Sequence, residues 1–200
     1  MKQIFKLSFI ILLFASYKNT NATEKGDFNI YVTTNLGHHS FIPSPTLGMR
    51  YYGYKGFIPG VTLNMDYAAS PYFSIGGWFT FSGKKYTTTV AGLPVAEYKY
   101  RNFGIGVRGV FHLYQLISEK GNTKLDADKF DLYIPLAVGG GFKLRDRNYA
   151  KSTFEGKFGG GAIVGSGIGI SYYFVEHIGA TLEAGYLEGS YAKIGLVFKF

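Results

Sequence analysis

The stretch that decides the fold is GAIVGSGIGISYYF, residues 161–174. Ala162, Val164, Ile168, Ile170, Tyr172 and Phe174 alternate there with Gly161, Gly165, Gly167, Gly169, Ser171 and Tyr173. A period of two is that of a β-strand with unlike faces, because successive side chains leave a strand on opposite sides. Here one face is bulky and apolar while the other is small. Glycine weakens a strand without packing anything, so a water-washed face gains nothing from a row of them. A narrow interior does gain, because glycine makes room for bulky neighbours. The apolar row therefore points outward.

The same alternation recurs seven more times. In 28–36 the apolar set is Phe28, Ile30, Val32 and Leu36; in 61–67 it is Val61, Leu63, Met65 and Tyr67. Phe73, Ile75, Phe79 and Phe81 oppose Ser74, Gly76, Trp78, Thr80 and Ser82. Phe103, Ile105, Val107, Phe111 and Leu113 oppose Asn102, Gly104, Gly106, Arg108 and His112. Phe130, Leu132, Ile134, Leu136, Val138 and Phe142 oppose Asp131, Tyr133, Pro135, Ala137, Gly139, Gly141 and Lys143. Runs at 180–186 and 193–200 complete an all-β set of eight antiparallel strands. The connections near 69–71, 118–127 and 175–178 read as turns at one end. Those at 37–57, 88–96 and 145–158 read as longer loops at the other, and Glu188-Gly189-Ser190 as a short one. Residues 46–53 also alternate and are taken as an ordered excursion of the first loop.

Composition narrows the surroundings. Among 200 residues, 18% are aromatic and only 17% charged, the reverse of a disordered chain. There is no cysteine, which excludes a disulfide framework, a cysteine zinc site or a thiol nucleophile. Residues 1–22 have a basic start at Lys2 and Lys6, an apolar run over 7–15 and a small residue at Ala22, the layout of a secretory signal peptide. The run is about half the roughly 20 residues that a spanning helix requires. Cutting after Ala22 removes Lys2, Lys6 and Lys18 and lowers the formal charge from +8 to +5, weak support for a nucleic-acid partner. Residues 23–200 then form the barrel.

A secreted lipocalin-like barrel is the soluble alternative, with its apolar face inside. The glycine rows oppose it, and so do aromatics at the turn-side strand ends, namely Tyr67, Tyr172, Phe174, Phe198 and Phe200, where a membrane-interface girdle belongs. Lipid tolerates no unpaired strand edge, so eight such strands must close into an up-and-down transmembrane barrel. An even count puts both termini on the side of the short turns.

The last eight residues, KIGLVFKF at 193–200, resemble the C-terminal assembly signal of bacterial outer-membrane barrels. Lys193, Gly195, Phe198 and Phe200 fill its four places. The whole chain after the leader resembles the small OmpA- and OmpX-like barrels that lack a periplasmic domain. That resemblance implies an integral outer-membrane location with both termini periplasmic. The partners it implies are the barrel-assembly machinery and outer-membrane lipid including lipopolysaccharide, with the barrel acting as a monomer. Basic residues at the loop end, Lys84, Lys85, Lys99, Arg101, Arg145, Arg147, Lys151 and Lys157, are placed to meet lipopolysaccharide phosphates.

Strand parity places an interior polar cluster of Asp66, Arg108, His112, Asp131, Lys143, Glu183, Lys193 and Lys199. An eight-stranded barrel is only wide enough for side chains to fill it, so these charges are expected to pair and block conduction. Counting back from a three-residue turn at 188–190 pairs Leu187 with Tyr191 and sets Glu183 opposite Gly195. Lys193 is then one diagonal away, with Gly195 leaving room for the two to meet. His112 should approach Asp131 or Tyr133, with no serine in its register to make a nucleophile. His38-His39 and His177 read as solvated, not as metal ligands. The triplets at 139–141 and 159–161 are strand glycines, because no helix follows to form a phosphate site. No cofactor is called for. Three functions remain open: a non-enzymatic envelope protein with surface-binding loops, a solute transporter, and an outer-leaflet lipid-modifying enzyme.

Overall fold

The computed structural model describes residues 23–38, 52–90, 93–120, 129–149 and 157–200. Within these, the side chains of 37–38, 52–59, 84–90, 93–100, 115, 118–120, 145–149 and 157–159 are outside the description. Residues 1–22 and the tips of all three long loops fall outside it too. Eight strands form one closed antiparallel barrel in chain order. They are β1 Phe28–His38, β2 Tyr52–Ser70, β3 Phe73–Val90, β4 Leu93–His112, β5 Phe130–Tyr149, β6 Lys157–Val175, β7 Ile178–Leu187 and β8 Ser190–Lys199. A helix, α1 Leu113–Lys120, follows β4.

The faces fall as the alternation requires. Leu136 is 59% exposed and Val164 67%, while Tyr31, Trp78, Tyr133 and Val197 point inward and are buried. The seam closes through β1 and β8, with Ile30 opposite Phe198 and Val32 opposite Leu196. At its end the Phe28 and Phe200 backbones exchange two hydrogen bonds of 2.9 Å. Closure leaves no unpaired edge, and the outer wall is apolar. Those are the two conditions a hydrocarbon surround imposes, so the chain is a transmembrane β-barrel.

Three expectations about the connections need correction. The stretches assigned to loops are partly strand: β2 begins at Tyr52, β3 runs to Val90, β4 begins at Leu93, β5 runs to Tyr149 and β6 begins at Lys157. Crossing a bilayer takes about 9–11 tilted residues. β1, β7 and β8 have 10 or 11, but β2–β6 have 18 to 20 and overshoot on the side away from the termini. Polar, aromatic and β-branched residues such as 84–89, KKYTTT, suit a ladder standing in water as well as one in lipid, so apolar alternation fades before the strand ends. Residues 46–51 lie outside the described residues, and Tyr52 and Gly53 belong to β2.

The second correction is α1, which takes Leu113 out of the expected strand and runs into the 118–127 connection expected to be only a turn. The third is the β7–β8 hairpin. Its loop is two residues, Glu188 and Gly189, with φ of 52° and 82°. Positive φ at both centres is the type I′ geometry that matches strand twist. Leu187 pairs with Ser190, and an irregularity between Ala184 and Leu187 shifts the register. Gly185, at φ 132°, absorbs that kink. Glu183 therefore faces Lys193 directly, and Thr181 faces Gly195.

Candidate functional site

The lumen is packed in polar layers. Nearest the termini, β3, β4 and β5 bring together Ser74, His112 and Asp131. Ser74 Oγ lies 2.8 Å from His112 Nε2, and His112 Nδ1 lies 2.8 Å from Asp131 Oδ2. Ser74 comes from the start of β3, where it faces Val110 in the ladder, two residues before His112. A serine within reach of His112 is the opposite of the sequence expectation. The inward parity of Ser74 was legible. Its distance from His112 was not, because it depends on where the β3–β4 ladder begins.

In atomic order this is a nucleophile relay of hydroxyl, imidazole and carboxylate. Its setting differs from that of a working site. All three side chains are no more than 1% exposed. Ser74 stands within a ladder, paired on both sides through Ala68 and Val110. Its backbone is thereby committed to sheet pairing and not turned toward an oxyanion. What the three residues do is join three neighbouring strands at the barrel end where β4 and β5 have no tight hairpin.

The next layer is ionic. Arg108 of β4 reaches three carboxylates: Nε to Asp66 Oδ2 at 3.1 Å, one terminal nitrogen to Glu183 Oε1 at 3.0 Å and the other to Glu188 Oε1 at 3.2 Å. Lys193 Nζ bridges Glu183 Oε2 and Glu188 Oε2, each at 2.5 Å. Tyr133 Oη donates to Glu183 Oε1 at 3.1 Å, and the Tyr31 ring lies 5.2 Å from the guanidinium carbon. With its amide turned to suit both neighbours, Asn64 accepts from Arg108 and donates to Glu188. Three carboxylates thus face two cations in a site sealed from solvent. Multiple charge-assisted bonds offset part of the cost of removing these ions from water.

Glu188 went unrecognised in the sequence because it stands in a turn. A non-glycine residue at positive φ is uncommon and costs about 1–2 kcal/mol. Its carboxylate, fully buried and shared by Arg108 and Lys193, accounts for the choice. The hairpin is short beside β2–β6, so its turn lies at lumen depth. Gly195 does not serve the ion pair. A Cβ there would press on Val32 and Thr33 of β1, so its role is close packing at the seam.

Trp78 fills the space beside the ionic layer and donates to Val107 O at 3.2 Å. It lies over glycines: a Cβ at Gly104, Gly106 or Gly139 would fall 2.6 to 2.8 Å from its ring. A further polar set follows, in which Thr62 Oγ1 is 2.9 Å from both Asn35 Oδ1 and Thr80 Oγ1. The other expected interior residues are dispersed. Lys199 is buried near the termini with Nζ 5.5 Å from the Tyr173 ring centroid. Lys143 is half-buried, opposite Asn102 and Gly159. His177 is also half-buried, not simply solvated, with Nδ1 3.1 Å from Lys199 O. In the terminal motif, Lys193 points into the lumen and Phe200 is 66% exposed on the outside. His39 and the His38 side chain lie outside the described residues. Among the described residues no group of three metal-binding side chains occurs.

No protein-family model and no curated protein matches the sequence. Solved structures do. The Yersinia pestis attachment invasion locus protein Ail, solved with the heparin analogue sucrose octasulfate, is 13% identical with a TM-score of 0.48, covering 89% of this chain and 100% of that one. The N-terminal barrel domain of Pseudomonas aeruginosa OprF is 13% identical at TM-score 0.45, with the same coverages. Pseudomonas aeruginosa outer membrane protein OprG is 14% identical at TM-score 0.46, covering 90% and 99%.

Proposed function

We propose that this protein is a non-enzymatic outer-membrane barrel that contributes to envelope integrity and presents its long hairpins for surface interaction. The observation carrying this reading is the ionic layer. Asp66, Arg108, Glu183, Glu188 and Lys193 meet across the lumen at bonding distance, which suits a plug rather than a passage. What varies outside the plug is wall height. β2–β6 carry the chain well beyond membrane thickness, and their ladders set Lys85 opposite Lys99, Tyr100 opposite Arg145 and Arg145 opposite Lys157. Adjacent strands thus gather basic positions at one height, suited to lipopolysaccharide phosphates. The termini lie at the other end and are assigned to the periplasm.

Planar-bilayer recording of the purified barrel tests the plug. The expected result is no steady ohmic conductance, and a stable open pore would favour solute transport instead. A fluorophosphonate probe tests the relay. Ser74 is expected to stay unlabelled, and its labelling would overturn the non-enzymatic assignment. Phe200→Ala tests the terminal signal, because it keeps the backbone bonds to Phe28 that a deletion would remove. Membrane levels in cells should fall while refolding in detergent is retained; unchanged levels would mean the ring is not read during assembly.

A further inference from the structure

The first part of the β4–β5 connection, α1, does not hang free of the barrel end. α1 starts immediately after His112, the last residue of β4. Tyr114 is buried and meets Phe130 edge-on, ring centroids 5.2 Å apart. Phe130 belongs to the outer wall: it pairs with Tyr172, and directly opposed residues share a face. Tyr172 itself is exposed on that face. α1 packs on β5 at this end of the wall. Through Tyr114 the helix meets the outer wall at the height of the aromatic girdle.

That contact leaves Leu116 and Ile117 uncovered, 37% and 44% exposed. Leu113, Leu116 and Ile117 follow the i, i+3, i+4 spacing of one helical face, and Lys120 takes its i+7 position. Phe73 and Phe111, paired at the same end of β3 and β4, extend the apolar belt beside the helix. No helix among the described residues is long and apolar enough to cross a membrane. Eight residues are also too few for a helix that stands alone in water. Its setting is that of a short helix lying in the interfacial plane.

We propose that α1 is an interfacial anchor whose Leu116 and Ile117 enter the phospholipid headgroup–acyl boundary beside β4 and β5. The occupant is lipid, because the exposed side chains continue a surface that already faces lipid. The inference rests on the outward-apolar membrane reading, and its consequence is local. One sector of the barrel end is held at a set depth, while the β2–β3 and β6–β7 connections at the same rim are tight turns.

The chain contains no cysteine, so single spin labels can be placed without background. Ile117→Cys, Leu136→Cys and Lys25→Cys would each be labelled and refolded into dioleoylphosphatidylcholine vesicles, with heat-modifiable gel mobility reporting folding. Leu116→Cys replaces the first variant if that one fails to fold. Accessibility is read as the ratio of collisions with oxygen to collisions with a nickel chelate. At Ile117 the ratio should lie several-fold above that at Lys25, which is exposed in the turn before β1, and below that at mid-wall Leu136. A ratio at Ile117 equal to that at Lys25, with Leu136 still reading lipid, would overturn the anchor alone and leave the face to water or a periplasmic protein. Water-like values at Leu136 as well would overturn the membrane reading on which the anchor depends.

Discussion

The two faces of the same eight strands are built on different principles. Outside, Val32, Leu136, Val164 and Leu196 each answer only to the hydrocarbon around them, and any apolar residue meets that need. Inside, Arg108, Glu183, Glu188 and Lys193 answer to one another, and each is satisfied only while the others hold position. The outer wall is a pattern; the lumen is a set of partners. A pattern tolerates exchange of like for like, whereas a network fails when one member leaves, because its remaining charges stay buried and unpaired.

Arg108→Met should break this contrast hardest. It strands Asp66, Glu183 and Glu188 with Lys193 as the only nearby cation of the layer, and loss of one partner from a buried ionic site costs about 3–5 kcal/mol. Urea titration of the refolded barrel measures it. A loss within experimental error would mean that the layer is hydrated and carries little stability. Next comes Leu136→Arg at the middle of the outer wall, expected to cost about 2–4 kcal/mol in lipid. Leu136→Met should be nearly silent in the same titration. If the two exchanges behave alike, the outer wall is not facing hydrocarbon.

Glu183→Gln sharpens the account of the network. It leaves Asp66 and Glu188 against Arg108 and Lys193, two charges of each sign, so its cost should be nearer 1–3 kcal/mol, about that of a lost charge-assisted bond. Adding Lys193→Met should deepen the loss, because Glu188 then depends on Arg108 alone. Restoration by the double variant would show a private Glu183–Lys193 pair instead of a shared site. The smallest effect belongs to Ser74→Ala, about 1 kcal/mol for one hydrogen bond to His112. A loss as large as that of Arg108→Met would make the Ser74–His112–Asp131 tie a second keystone of the lumen.

Strand number, strand faces and closure were all legible in the amino-acid sequence, and so was the inward placement of Asp66, Arg108, His112, Asp131, Glu183 and Lys193. The reason is local: a period of two needs only neighbouring residues and a surround that separates apolar from polar. Partners inside the barrel were not legible. Arg108 and Glu188 stand 80 residues apart, and their meeting depends on the stagger of every strand between them. One bulge near Gly185 moved the last hairpin by enough to set Glu183 against Lys193 and to turn Glu188 into the lumen. Ser74 reached His112 through the point at which the β3–β4 ladder begins. α1 and the extra height of β2–β6 were likewise decided by tertiary structure. There the chain leaves hydrocarbon, and the alternation that marks a membrane strand gives way to cross-strand pairing that no local pattern records.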